Sequence, residues 1–204
     1  MPKLSRMLLG ASTFAALLAA SFAAAQAPEM VRVRGIIESV DGAVLNVKMR
    51  DGAAVKVQLA ANGPVNEVVK ASLSDIKENS YIAVTAMPQP DGSQKAVAIL
   101  IFPETLRGVA EGSRAWDLSP NSTMTNATVA NQVAGVDDQT LTVKYKDGEK
   151  KIIATPATEV VAYKKASAAD LKAGQKIFVV AAKKLPDGTL EAPNVSFGDY
   201  GVWR

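Results

Sequence analysis

The sequence predicts an all-β protein built from two tandem small β-barrels, each of about five strands with one short helix. Three observations predict this. Apolar residues recur with a period of two, Asp-Gly pairs punctuate the runs, and the whole pattern occurs twice in order.

A leader precedes the first copy. Lys3 and Arg6 form a short basic segment, an apolar stretch runs from Met7 to Ala20, and Ala23 and Ala25 place a cleavage site before Gln26. The apolar stretch is rich in Ala, Ser and Thr, a poor composition for a retained membrane helix. No Cys follows it, which excludes a lipid anchor at that point. Residues 1–25 are therefore expected to be a signal peptide, residues 26–30 a lead-in, and the mature chain periplasmic. No later run approaches the ~20 apolar residues of a spanning helix, so an integral membrane protein is not expected.

Repeat 1 covers residues 31–102. Val31, Val33, Gly35 and Ile37 alternate with Arg32, Arg34, Ile36 and Glu38, the signature of a half-buried strand. Asp41-Gly42 turns the chain, because Gly accepts positive φ. Leu45, Val47 and Met49 form a second strand, Asp51-Gly52 turns again, and Val55, Val57 and Leu59 form a third. Ser72-Leu-Ser-Asp75 reads as a capping box opening one short helical turn, with Asn79 placed to end it. Tyr81 to Ala86 and Ala96 to Phe102 follow as a hairpin around Pro90-Asp91-Gly92.

Repeat 2 covers residues 126–197. A gapless alignment offset by 96 matches Val33, Val40, Asp41, Leu45, Val47, Lys48, Asp51 and Gly52 to Val129, Val136, Asp137, Leu141, Val143, Lys144, Asp147 and Gly148. Ser167-Ala-Ala-Asp170 repeats the capping box, Gly174 its end, and Pro186-Asp187-Gly188 the hairpin turn between Ile177–Ala182 and Leu190–Phe197. Three strands, a short helix and a hairpin is the order of an OB-like barrel. Residues 198–204 form a tail expected to help close the second barrel.

Composition narrows the chemistry. The chain contains no Cys and no His, which removes thiol and histidine catalysis, thiolate and imidazole metal sites, and disulfides. Asp137-Asp138 and the Asp-Gly turns match no calcium loop; no metal and no cofactor are expected. The 23 basic and 20 acidic residues become 21 against 20 once Lys3 and Arg6 leave with the signal peptide. Such a balance is unsuited to holding nucleic acid by bulk charge. Tyr145 lies on the second strand of copy two, but its counterpart is Met49 and both are assigned to the inner face, so copy one lacks a base-stacking platform.

Residues 103–125 break the repeat. This segment carries Arg107, Glu111, Arg114, Trp116 and Asp117, unlike a plain Gly/Ser or Pro linker. The plainer reading packs Trp116 between the barrels with Asp117 and Ser119 in a turn. The sharper reading makes Arg114, Trp116 and Asp117 the edge of a site for an envelope protein or small ligand, with Arg107 and Glu111 beside them. A rival anion-binding face would use Arg32, Arg34, Lys48, Arg50 and Lys56, all alternating outward; its ligands would be acidic lipid headgroups or polyanions. A second rival is a carboxylate-based envelope hydrolase acting through Glu104 or Asp117. The sequons at Asn121 and Asn126 matter only in a glycosylating pathway.

The frame V-x-G-x-I-x-x-V-D-G, with its later Asp-Gly turns and D-I/L-K segments, resembles a family of exported bacterial domains of unknown function with an OB-like fold. With the Trp116-Asp117-Leu118 and Ser122–Ala127 stretches included, the chain is similar to proteins labelled metal transporter permeases. A permease needs several spans, which this sequence lacks. The resemblance implies fold rather than activity. The expected function is a non-enzymatic periplasmic binding or accessory protein, with no catalytic residue assigned.

Overall fold

In a computed structural model, residues 28–135 and 138–198 are described; the expected signal peptide, the expected tail beyond residue 198, and residues 136–137 lie outside them. The chain is all-β. Its strands are β1 (Met30–Asp41), β2 (Val44–Met49), β3 (Ala54–Leu59), β4 (Val65–Lys70), β5 (Tyr81–Pro88), β6 (Gln94–Ile101) and β7 (Gly112–Ala115). The second half continues with β8 (Thr123–Ala134), β9 (Gln139–Tyr145), β10 (Gly148–Ala154), β11 (Glu159–Ala166), β12 (Lys176–Lys184), β13 (Leu190–Ala192) and β14 (Val195–Phe197).

The strands close two five-stranded circuits, and neither circuit is one repeat. The first runs β1-β2-β3-β13-β12 and returns to β1. The second runs β8-β9-β10-β6-β5 and returns to β8. Three strands of each circuit come from one repeat and the closing hairpin from the other. Since β5 to β10 are consecutive, the second circuit is a central barrel. The first is a terminal barrel assembled from the two ends of the described chain. The expectation that each repeat closes its own barrel is not what the pairing shows.

The cores follow the same division. Val33, Ile37, Leu45, Val47 and Val57 pack with Leu171, Ile177, Val179 and Leu190 in the terminal barrel. Ile76, Ile82, Val84 and Ile99 pack with Ala127, Val129, Leu141, Val143 and Ile152 in the central one. Ile76 and Leu171, at the ends of the two short helical turns, each plug the barrel of the other copy's meander. Both capping boxes form as 3-10 turns, with Asp75 accepting from the Ser72 amide at 2.8 Å and Asp170 from the Ser167 amide at 2.8 Å.

The exchange happens at two strands that the period-two pattern does not single out. After its meander, each copy runs through β4 or β11, and these pair antiparallel with each other. Val68 lies opposite Tyr163, its own counterpart counted back from the shared Ala-Ser of each capping box. A pseudo-two-fold axis therefore passes through this pair. Beside it, β6 runs parallel to β11 and β14 parallel to β4. The bulge at Val97 in β6 becomes Pro193 in the second copy, and there the strand breaks into β13 and β14. Proline has no N–H to give to a ladder, so it is confined to such positions.

One correction concerns the repeat alignment. Ile37 pairs with Val47, and Val129 pairs with Val143, the counterpart of Val47. Val129 is thus the equivalent of Ile37 rather than of Val33. The gapless offset fails here because the β8–β9 connection is longer than the Asp41-Gly42 turn. Four residues of slip leave the alternation intact, so periodicity could not expose the error.

Candidate functional site

The corrected register identifies the facing walls of the two barrels. In the terminal barrel, Arg34 on β1 lies opposite Phe178 on β12. The equivalent pair in the central barrel is Asn126 on β8 opposite Ala83 on β5. Two residues earlier, Arg32 and Met124 occupy like places. The same backbone position thus carries a large cationic and aromatic pair on one wall and a small pair, an amide and a methyl, on the other.

Between these walls runs the inter-repeat segment, which contains a strand that sequence reading missed. β7 pairs with the start of β8, Gly112 opposite Asn126 and Arg114 opposite Met124. A tight turn joins them. Trp116 N–H donates to the Ser122 carbonyl at 2.8 Å, and the buried Ser122 hydroxyl lies 2.7 Å from the Ser119 carbonyl and 3.0 Å from that of Trp116. Asn121 takes φ of 64°, a conformation asparagine tolerates better than most residues.

This turn delivers Trp116 and Asp117 to the terminal wall. Arg34 donates to both Asp117 oxygens, at 2.9 and 2.8 Å, and Arg32 adds a third bond at 2.5 Å. Arg32 stacks 4.2 Å above the Trp116 ring, and Arg34 lies 5.1 Å from the Phe178 ring. The Arg34 hydrogen bonds, helped by Arg32 and opposed by partial burial, hold the Asp117 carboxyl at about 2. Arg32 and Arg34 are therefore engaged inside the molecule instead of forming a free basic face. Lys48, Arg50 and Lys56 remain exposed, with Lys56 close enough to Asp187 to help lower its pKa.

The central wall is only partly filled by the strap, through Trp116 and the Val109 carbonyl. A cavity of about 410 Å³ opens there, lined by Ala83, Thr85, Leu100, Met124 and Asn126 of the central barrel and by Phe178 and Val180 of the terminal barrel. Tyr163 closes it at the pseudo-dyad, while Arg114 and Trp116 border it from the strap. The lining is chiefly apolar. Asn126 is 4% exposed; its amide nitrogen donates to the Val109 carbonyl at 3.0 Å, while its side-chain oxygen is buried without a partner. The Val109 carbonyl also accepts from the Tyr81 hydroxyl at 3.0 Å. It would repel an oxygen at the Asn126 distance, so the amide presents its nitrogen there and its oxygen is left without a protein partner. Arg114 donates to the Ala110 carbonyl at 2.9 Å and has no acidic partner among the described residues. Burial pushes its guanidinium pKa down.

The other sequence candidates serve structure. Arg107 holds Glu104 through two bonds, at 2.5 and 2.7 Å, and also donates to the Asn79 carbonyl at 2.6 Å, pinning the strap to the central barrel. The Arg107 hydrogen bond lowers the Glu104 pKa. Glu111 is exposed and lies outside the cavity lining. Ser113 accepts from Lys150 at 2.7 Å, but alternation along β7 turns Ser113 away from the face that carries Arg114 and Trp116.

Asn126, Met124, Ala83 and Phe178 were not singled out by sequence. One signal was present: a buried strand with Asn at its centre, in the run Thr123–Thr128, contradicts strand preference. Its sequon reading is set aside by burial of the side chain. Among the described residues, no cluster of acidic side chains could hold a metal, and no helix is long and apolar enough to cross a membrane. No family model matches the chain, and no curated protein or solved structure proved similar to it.

Proposed function

We propose that the chain is a non-enzymatic periplasmic binding protein that holds a small, mainly apolar ligand in the cavity between two OB-like barrels. The OB-like assignment is supported by the strand order of both circuits. In each, the third strand of the meander runs parallel to the last strand of the hairpin, as β3 with β13 and β10 with β6. The periplasmic assignment is supported by the leader pattern alone.

One observation carries the binding reading. At equivalent places the terminal barrel has the large Arg34, engaged by Asp117 of the strap, and Phe178, whereas the central barrel has the smaller Asn126 and Ala83, which leave a cavity. A cavity of about 410 Å³ lies within the size range of small-molecule sites, and such sites combine apolar walls with a few convergent polar groups. The rival basic face loses Arg32 and Arg34 to Asp117. The rival hydrolase is disfavoured because Glu104 and Asp117 are each held ionised by arginine, which leaves neither able to donate a proton near neutrality.

The test is to fill the cavity. Ala83→Phe copies what the pseudo-symmetric position already carries in Phe178. The neutral dye Nile red is expected to bind wild type saturably with enhanced emission, and the folded variant is expected to lose that binding. Equal binding by both proteins, with circular dichroism unchanged, would overturn the proposal.

A further inference from the structure

The ligand class follows from two groups that the fold leaves unanswered, and the inference rests on the small-ligand reading above. Arg114, Met124 and Asn126 share one face of the β7–β8 ladder, because residues opposite each other and two apart point the same way. Gly112 stands opposite Asn126 and brings no side chain to cover it; a Cβ built there meets no atom within 4 Å. The cavity therefore has beside it, on one face of the ladder, a cation with no acidic partner among the described residues and a buried acceptor without a donor among them.

Each group asks for a specific complement. An unsatisfied buried carbonyl carries a desolvation cost that a ligand O–H or N–H recovers. A partly desolvated guanidinium favours a carboxylate, which accepts two parallel bonds from it. Diagonal neighbours across an antiparallel ladder lie about 7 to 8 Å apart, so donor and acid sit a few bonds from each other on the ligand. Leu100, Phe102, Met124, Phe178 and Val180 give the rest of the wall a chiefly hydrocarbon surface, with Thr85 and Asn66 among its few polar members. At about 30 Å³ per water-sized group, the cavity holds on the order of a dozen non-hydrogen atoms.

We infer that the cavity binds an amphipathic carboxylic acid of medium chain length that carries a hydroxyl or amide N–H close to the acid group. The carboxylate lies on Arg114, the nearby donor meets the Asn126 side-chain oxygen, and the chain runs along Met124 and Phe178. Arg114 selects for charge and Asn126 for the donor.

Calorimetric titration of the full chain with β-hydroxyoctanoate, octanoate and octanol tests this. Wild type is expected to bind β-hydroxyoctanoate about tenfold more tightly than octanoate, the worth of one recovered acceptor. Arg114→Gln should weaken both acids about tenfold and leave octanol unchanged, with Arg114→Lys recovering part of the loss. Asn126→Ala should erase the preference for the hydroxyl while octanoate still binds, which also shows that this variant is folded. Octanol binding as tightly as the acids, with Arg114→Gln silent, would overturn the acid assignment while the cavity reading stands. Failure of all three ligands together with Nile red would overturn both.

Discussion

The two barrel walls start from the same repeat and end with opposite roles. On the terminal wall, Arg32, Arg34 and Phe178 are bulky, charged and completed by Trp116 and Asp117. On the central wall, Met124, Asn126 and Ala83 are smaller, and the strap, which reaches them through Trp116 and the Val109 carbonyl, leaves a cavity beside them. Three matched positions of the two walls differ in residue type, and with them one wall clamps the strap while the other lines a cavity. An asymmetric site built within a symmetric frame needs no new backbone.

The largest effect bears on the frame itself. Val33 and Val179 lie directly opposite each other, both fully buried, although they belong to different repeats. Val33→Ala and Val179→Ala should each cost on the order of 2 kcal/mol in urea unfolding. Their double mutant should depart from additivity by at least about 0.5 kcal/mol. Val84 is the first-copy counterpart of Val179 and sits in the other barrel's core. Val33→Ala with Val84→Ala should be additive. The reverse pattern would mean that each repeat closes its own barrel.

A smaller effect tests the clamp. Asp117→Asn removes the charge that Arg32 and Arg34 share. Because Asp117 is nearly half exposed, solvent screening reduces the loss to about 1 kcal/mol. Its folded pKa is depressed to about 2, so its stabilisation is complete above the ordinary carboxylate range and fades as pH falls toward 2. Wild type and variant should therefore differ in melting temperature at neutral pH and converge near pH 2. A constant difference across that range would assign the clamp to packing rather than charge.

The smallest effect lies near the pseudo-dyad. Glu67 and Lys164 face each other across β4 and β11 at 3.2 Å, both well exposed. Glu67→Gln should change stability by no more than about 0.5 kcal/mol, and less in high salt. A larger loss would place structural weight on the ladder that joins the barrels.

Local features of this fold were readable in the residues. The meander strands, the Asp-Gly turns and both capping boxes depend on neighbours in sequence, and period-two patterning places Leu45, Val47 and Val57 inward without reference to any partner. The partner itself was not readable. Two similar copies offer similar edges to the same meander, so nothing in Ile177 or Ile82 states which barrel it enters. β4 lacked a clean alternation because Val65, Asn66 and Val68 are all buried between the barrels. The site was half legible. Arg114 and Trp116 stood out by type in an irregular segment, and both border the cavity. Ala83 and Asn126 gain meaning only through the wall opposite them, and that comparison requires the register.

The insertion of one barrel inside the other also orders the chain in time. The central barrel closes once residue 154 is available, because all five of its strands lie between Tyr81 and Ala154. The terminal barrel cannot. Its first three strands are made early and wait, with open edges, until β12 and β13 arrive some 120 residues later. Such long-range closure is intrinsically slow and leaves strand edges unpaired meanwhile. Vectorial synthesis therefore exposes β1 to β3 for most of the chain's production, and truncation before Lys176 would strand them permanently.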